Sequence, residues 1–306
     1  MNIQKLPMTV LSSDGEHELQ GVVYLPEGEA KGLFHVVHGM QEYIGRYDRF
    51  MRDVCADGYI VFGFDNLGHG HTARDSSELG YIAPQDGWRR LVDDVELFDR
   101  AMKASYGDTL PLYLMGHSMG SFIVRLTAAA YPTYDKLIVM GTGGPNPASG
   151  IAIVLAARLK ARRGDRYVSL GLENMAFGAY NKRFKDEHDR RSWLTKDVAV
   201  RDTYGDDPFC SFHFTVSAMQ DLVILNRECN LRSWPGALDR HKPVLLVSGA
   251  EDPVGDYGNG VTKVYRALVS AGVPTTMKLY ENCRHEILND DSYDEVVSDI
   301  LGFIAE

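Results

Sequence analysis

The residues with the clearest chemical potential are Gly116-His117-Ser118-Met119-Gly120. A serine hydroxyl is a weak nucleophile at neutral pH. It needs a base to take its proton, a third group to orient that base, and donors to receive the oxyanion that forms. A Gly-x-Ser-x-Gly run presents such a serine on a tight turn when an apolar strand leads into it and a helix leads out. Here Leu112, Tyr113, Leu114 and Met115 precede the run, and Phe122, Ile123, Val124 and Leu126 open a predicted helix after it. Flanking glycines let strand and helix approach without a Cβ clash. The helix N-terminus then lies beneath the serine, where its dipole favours developing negative charge. A serine that only capped a helix would not need the strand before it.

In a strand–elbow–helix enzyme of this type the chain order is serine, then acid, then histidine. Beyond Ser118 the histidines are His188 and His213, both inside a long insertion, His241, which precedes a strand and would sit at its wrong end, and His285. His285 lies in Glu281-Asn282-Cys283-Arg284-His285-Glu286, after a predicted strand and before the last helix, and is the expected base. Ligand sites in open α/β sheets gather at such C-terminal strand ends. The expected acid is Asp252, in the loop Ser248-Gly249-Ala250-Glu251-Asp252-Pro253-Val254, with Glu251 and Asp256 as competitors. A buried carboxylate there accepts the imidazole Nδ1–H and leaves the other nitrogen for the serine proton. The oxyanion hole is expected from the backbone N–H groups of Met119 and Met40, the latter in His38-Gly39-Met40.

The elements that must position these groups alternate between short β-rich runs and longer helical patterns, the signature of a mostly parallel sheet covered by helices. Residues 8–11 and 19–25, joined by a Ser-Ser-Asp-Gly turn, predict an antiparallel hairpin. Further strands are predicted over 33–38, 59–65, 111–116, 136–141, 243–248 and 275–280. Helices are predicted over 87–104, 118–131 and 293–304. Roughly a hundred residues separate two successive strands near 141 and 243, where a crossover needs about a dozen or more. The excess predicts an inserted, mainly helical cap over 144–235, with the α/β core formed by 1–143 and 236–306. Part of the apolar surface of segments 151–155 and 209–225 is expected to pack on the sheet domain and part to line the way to Ser118.

The chain has 306 residues, 44% hydrophobic, and a net charge of −10. That is enough for a large core, and the acidic balance argues against nucleic acid as a partner. No apolar run reaches a membrane span, and the start lacks a secretory signal, so a cytoplasmic location is expected. The four cysteines, Cys55, Cys210, Cys229 and Cys283, are far apart and read as free thiols. His69 and His71 have no further ligand at metal spacing and read as a structural turn. Neither metal nor cofactor is expected, and the oligomeric state is not written in the sequence. The basic run Arg158, Lys160, Arg162, Arg163 and Arg166 allows at most transient contact of the cap with an anionic membrane surface. A solvated helix face is the simpler reading.

The stretch His38-Gly39-Met40-Gln41-Glu42-Tyr43-Ile44-Gly45-Arg46-Tyr47 resembles the HGxxEhxxRY element of monoglyceride lipases and lysophospholipase-like hydrolases. Asp65-Asn66-Leu67-Gly68-His69-Gly70 is similar to their D-xx-GHG turn, and GHSMG, GAEDPV and RHE are similar to their elbow, acid and histidine loops. The resemblance runs from about residue 21 to the C-terminus and is weak in the insertion. It implies an α/β-hydrolase fold and cofactor-free hydrolysis of a small acyl ester, a monoacylglycerol or a lysophospholipid. His38, Glu42, Arg46 and His117 become candidates for substrate contact. The wider group includes serine aminopeptidases, which would need an acidic grip on a free amine, with Glu173, Asp206 or Asp207 available. A non-catalytic binding protein of the same fold should have lost a member of the triad.

Overall fold

The computed structural model describes residues 3–306. One eight-stranded sheet runs through it in the order β1-β2-β4-β3-β5-β6-β7-β8. The strands are β1 (Gln4–Leu11), β2 (Glu18–Leu25), β3 (Leu33–Val37), β4 (Ile60–Phe64), β5 (Leu112–His117), β6 (Lys136–Met140), β7 (Val244–Gly249) and β8 (Thr275–Tyr280). The first two pair antiparallel, and β2 pairs antiparallel with β4. All other neighbours are parallel. β1 starts four residues earlier than its sequence suggests, running through Pro7. As the outermost strand it can carry a proline, because the missing N–H is not needed by a further strand.

Alternate residues of the central strands enter two cores. From β3, Leu33 and Val37 face one side, with Phe34 and Val36 on the other. From β7, Val244 and Leu246 oppose Leu245 and Val247 in the same way. Nearly unbroken apolar runs are what strands covered on both faces require. The first core is closed by α2 (Gly87–Tyr106), α3 (Met119–Ala130) and α8 (Asn259–Ser270), through residues such as Leu91, Phe98, Ile123 and Val264. The second is closed by α1 (Asp48–Ala56) and α9 (Tyr293–Ala305), through Phe50, Val54, Val296 and Ile300.

Between β6 and β7 the chain makes α4 (Ser149–Arg163), α5 (Leu170–Phe177), α6 (Val198–Asp206) and α7 (Val216–Glu228), with short 3₁₀ turns between α5 and α6. All four cysteines are free and buried. No helix among the described residues is long and apolar enough to cross a membrane.

Candidate active site

The loops that leave β3, β5, β7 and β8 at their C-terminal ends bring the predicted residues together. Ser118 sits between β5 and α3 at φ 54°, ψ −120°, a conformation that L-residues rarely hold. The turn is tight enough to require its glycines. A Cβ on Gly116 would lie 2.2 Å from the Gly120 carbonyl oxygen, and one on Gly120 would lie 2.2 Å from that of Val37. Gly39 allows the β3 loop to pass over the serine, since a Cβ there would come within 2.9 Å of Ser118 Cβ.

Asp252 is fully buried. Its Oδ2 meets His285 Nδ1 at 2.9 Å, and its Oδ1 accepts the Val254 N–H at 2.8 Å. With Nδ1 committed to the carboxylate, His285 Nε2 is left without a hydrogen-bond partner among the described residues. Glu251, one competitor, instead faces Lys196 at 3.2 Å. Met40, Ser118, Met119 and His285 line one cavity, together with Phe122, Ala176, Phe177, Tyr180, Trp193, Leu222 and Val223. Neither Met40 N–H nor Met119 N–H donates a hydrogen bond among the described residues. A hydroxyl, a free imidazole nitrogen held by a carboxylate, and two uncommitted amides around an apolar cavity are the parts that acyl transfer uses.

A buried polar network underlies this cavity. Glu42 accepts from the Gly39 N–H at 2.6 Å and from the Tyr47 hydroxyl at 2.8 Å, and lies 3.1 Å from His117 Nδ1. His117 Nε2 donates to the His285 carbonyl at 3.2 Å. Burial alone would push the Glu42 carboxyl up and the His117 imidazole down. Their hydrogen bond and mutual attraction outweigh this, so Glu42 falls below the usual carboxylate range and His117 rises above that of a free histidine. Arg46 bonds Glu42 at 3.0 Å and grips Glu286 with both terminal nitrogens, at 2.7 and 2.8 Å.

These contacts correct part of the sequence reading. His38 is fully buried, with Nδ1 against the Gly39 carbonyl and Nε2 accepting the Asn66 N–H, so it shapes the loop from behind and cannot touch a substrate. Arg46 has its charge taken up by two carboxylates and is a tie between loops. Glu42 and His117 do reach the cavity wall, but as members of that tie. Segment 209–225 packs Val216, Ala218, Met219 and Leu225 into the first core and lends Leu222 and Val223 to the cavity, whereas 151–155 packs Leu155 on that core and lends the cavity nothing. Ile151 is 74% exposed, so an apolar residue there says nothing about the pocket.

The carboxylates considered for an amine grip do not line the cavity either; Glu173 is bonded to His213 at 2.8 Å. His69, read as part of a turn, has Nδ1 against the Leu67 carbonyl and packs its ring edgewise on Phe212 and Phe214. Burial pushes its pKa down to about 3. The Asp65 turn is structural: its carboxylate accepts from the Ile44 and His71 amides at 2.8 and 2.7 Å and so joins the β4 end to the β3 loop. Tyr180, Trp193 and Phe177 were missed. They lie in or beside irregular chain whose sequence has no period to place them.

Sheet, elbow and loop order define an α/β-hydrolase. The family model of the serine aminopeptidases (S33) matches residues 28–292, and the chain belongs to that family. It is similar to a monoacylglycerol lipase of Mycolicibacterium smegmatis, 26% identical over 97% of this chain and 99% of that one. It is also similar to a monoglyceride lipase of Mus musculus, 29% identical over 92% of this chain and 84% of the other. A thermostable carboxyl esterase from Bacillus coagulans, solved in complex with glycerol, superposes with a TM-score of 0.91 at 28% identity, covering 100% of this chain and 98% of that one.

Proposed function

We propose that this carboxylic ester hydrolase cleaves monoacylglycerol-like or lysophospholipid-like esters by a two-step acyl transfer. Ser118 Oγ attacks the ester carbonyl carbon while His285 Nε2 takes its proton, and Asp252 holds the imidazole by Nδ1–H and stabilises the imidazolium. The amides of Met40 and Met119 receive the oxyanion. Collapse breaks the ester C–O bond, and His285 returns the proton to the leaving alcohol. A water deprotonated by His285 then attacks the acyl-serine and frees the acid.

The observation that carries this reading is the His285–Asp252 pair, with its unengaged Nε2, opening on the same apolar-walled cavity as the strained Ser118. That cavity has a volume of about 210 Å³. It is smaller than the roughly 300–1,000 Å³ of pockets that take drug-sized ligands, which suits a single acyl chain. The insert over 144–235 acts as a cap. Its outer surface carries exposed Ile151, Val154 and Leu170 beside Arg158, Arg162 and Arg163, which supports transient contact with an anionic lipid surface. Aminopeptidase activity is disfavoured because the only carboxylates lining the cavity among the described residues, Glu42 and Glu286, are occupied by His117 and Arg46.

A panel of p-nitrophenyl esters from acetate to palmitate, a monoacylglycerol, a lysophosphatidylcholine and an amino-acid anilide tests the assignment. The expected optimum is a medium-chain ester, with monoacylglycerol ahead of lysophospholipid. A maximum at acetate would refute the lipid-ester reading, and preferred cleavage of the anilide would refute ester specificity. Ser118→Ala should lower kcat by on the order of 10⁶ without unfolding the protein.

A further inference from the structure

The irregular chain between α5 and α6 is unexpectedly buried. Ser192 and Thr195 are fully inaccessible and Leu194 nearly so, although no helix or strand holds them. Their partners lie in the loop that carries His285. The Glu286 N–H donates to the Leu194 carbonyl at 2.7 Å, and the His285 N–H donates to that of Trp193 at 3.4 Å. The Trp193 indole lies against the His285 imidazole, centroids 5.1 Å apart.

The two sides of this contact are clamped by side chains. Arg284, next to His285, donates to the Ser192 carbonyl at 2.6 Å and is paired with Glu187. Asp290 bridges both strands of chain. Its Oδ1 accepts the Thr195 hydroxyl at 2.6 Å and the Lys196 N–H at 2.8 Å, while its Oδ2 accepts the Arg284 N–H at 2.7 Å. Buried polar groups satisfied in this way fix geometry, because any displacement leaves several of them unpaired at once.

We infer that residues 192–196 form a strap by which the insert sets the position of His285, with Thr195 as a positioning residue that acts through Asp290. The inference rests on His285 being the catalytic base. The insert then completes the catalytic group as well as covering the substrate. Thr195 does not line the cavity, so its effect should be separable from substrate binding.

The test is Thr195→Val, which keeps the shape and removes the hydroxyl, read by stopped-flow turnover of p-nitrophenyl butyrate. Small misplacements of reacting groups are costly, so kcat should fall about tenfold with KM unchanged. Acylation and deacylation should slow together, since His285 serves both steps. Thr195→Ser should restore the rate. Asp290→Asn, which weakens the same junction, should lower kcat in the same way and serves if Thr195→Val does not fold. Wild-type kcat in either folded variant, or a loss confined to KM, would overturn the strap. His285→Ala separates the two levels. Activity surviving in it would remove the base assignment itself. An inactive His285→Ala beside a fully active Thr195→Val would remove the strap alone.

Discussion

The two sides of the insert are held in opposite ways. α7 is built into the core: Val216, Ala218, Met219 and Leu225 are buried, and Ser217 Oγ donates to the Ala83 carbonyl at 2.5 Å. The Thr215 N–H donates to the Gly80 carbonyl at 2.9 Å, and Asp221 lies against the first amides of α2. At its C-terminal end, buried Arg125 of α3 bonds the Cys229 carbonyl and reaches Asn230 at 3.2 Å, with its guanidinium 4.2 Å from the Trp234 ring. α4 and α5 differ. They bury only Ser149, Ala156 and Leu172, and leave Ile151, Val154, Leu170 and Met175 exposed. Buried contacts and satisfied polar groups set local stability, so opening should be confined to α4 and α5 while α7 stays as a fixed wall of the cavity.

Breaking the α7 anchor should give the largest effect. Arg125→Ala removes the bonds to Thr142, Cys229 and Asn230 and leaves a void beside Trp234. It should cost about 3–5 kcal/mol in denaturant unfolding. A loss below about 1 kcal/mol, within the range of an ordinary single substitution, would show that α7 is not anchored there.

A smaller and pH-dependent effect is expected at Asp221. Burial pushes its carboxyl up to about 7, and the amides of Gly87 and Trp88 only partly oppose this. The folded protein therefore holds a proton that the unfolded chain releases near pH 4, and stability falls as pH rises from about 4 to 7. Asp221→Asn removes that loss. Its Tm should exceed that of the parent by a few degrees at pH 8, with a smaller gain at pH 5. An equal change at both pH values would contradict a raised carboxyl.

The exposed half should tolerate substitution. The double change Ile151→Ser and Val154→Ser should alter stability by no more than about 0.5 kcal/mol. Hydrolysis of monoacylglycerol in anionic vesicles should drop a few-fold, with p-nitrophenyl butyrate turnover unchanged. Equal loss on both substrates would mean that these side chains serve the cavity and not a surface.

The same contrast explains what was legible in the sequence. The elbow, the Asp252 and His285 loops and the strands from β2 to β8 are short-range patterns with a fixed place in the chain, and each lies within about a residue of where its pattern put it, while β1 begins earlier than its apolar residues show. The length of the insert was plain from the strand spacing. Its orientation was not: Ile151 and Leu155 are equally apolar, yet one faces water and the other packs on the core. Glu42 and Arg46 stand only four residues apart in the sequence, but their third partner, Glu286, is 240 positions from Arg46, and only the fold brings it there. Trp193 and Thr195 carried no local signal, since their burial depends on pairing with a loop some ninety residues away.

The account stands most directly on a covalent acyl group at Ser118. Quenched turnover of p-nitrophenyl octanoate, followed by intact-protein and peptide mass spectrometry, should show one octanoyl group on the peptide containing Ser118, and none in Ser118→Ala. Active turnover with no adduct trapped on Ser118, or with the acyl group on one of the cysteines, would contradict it.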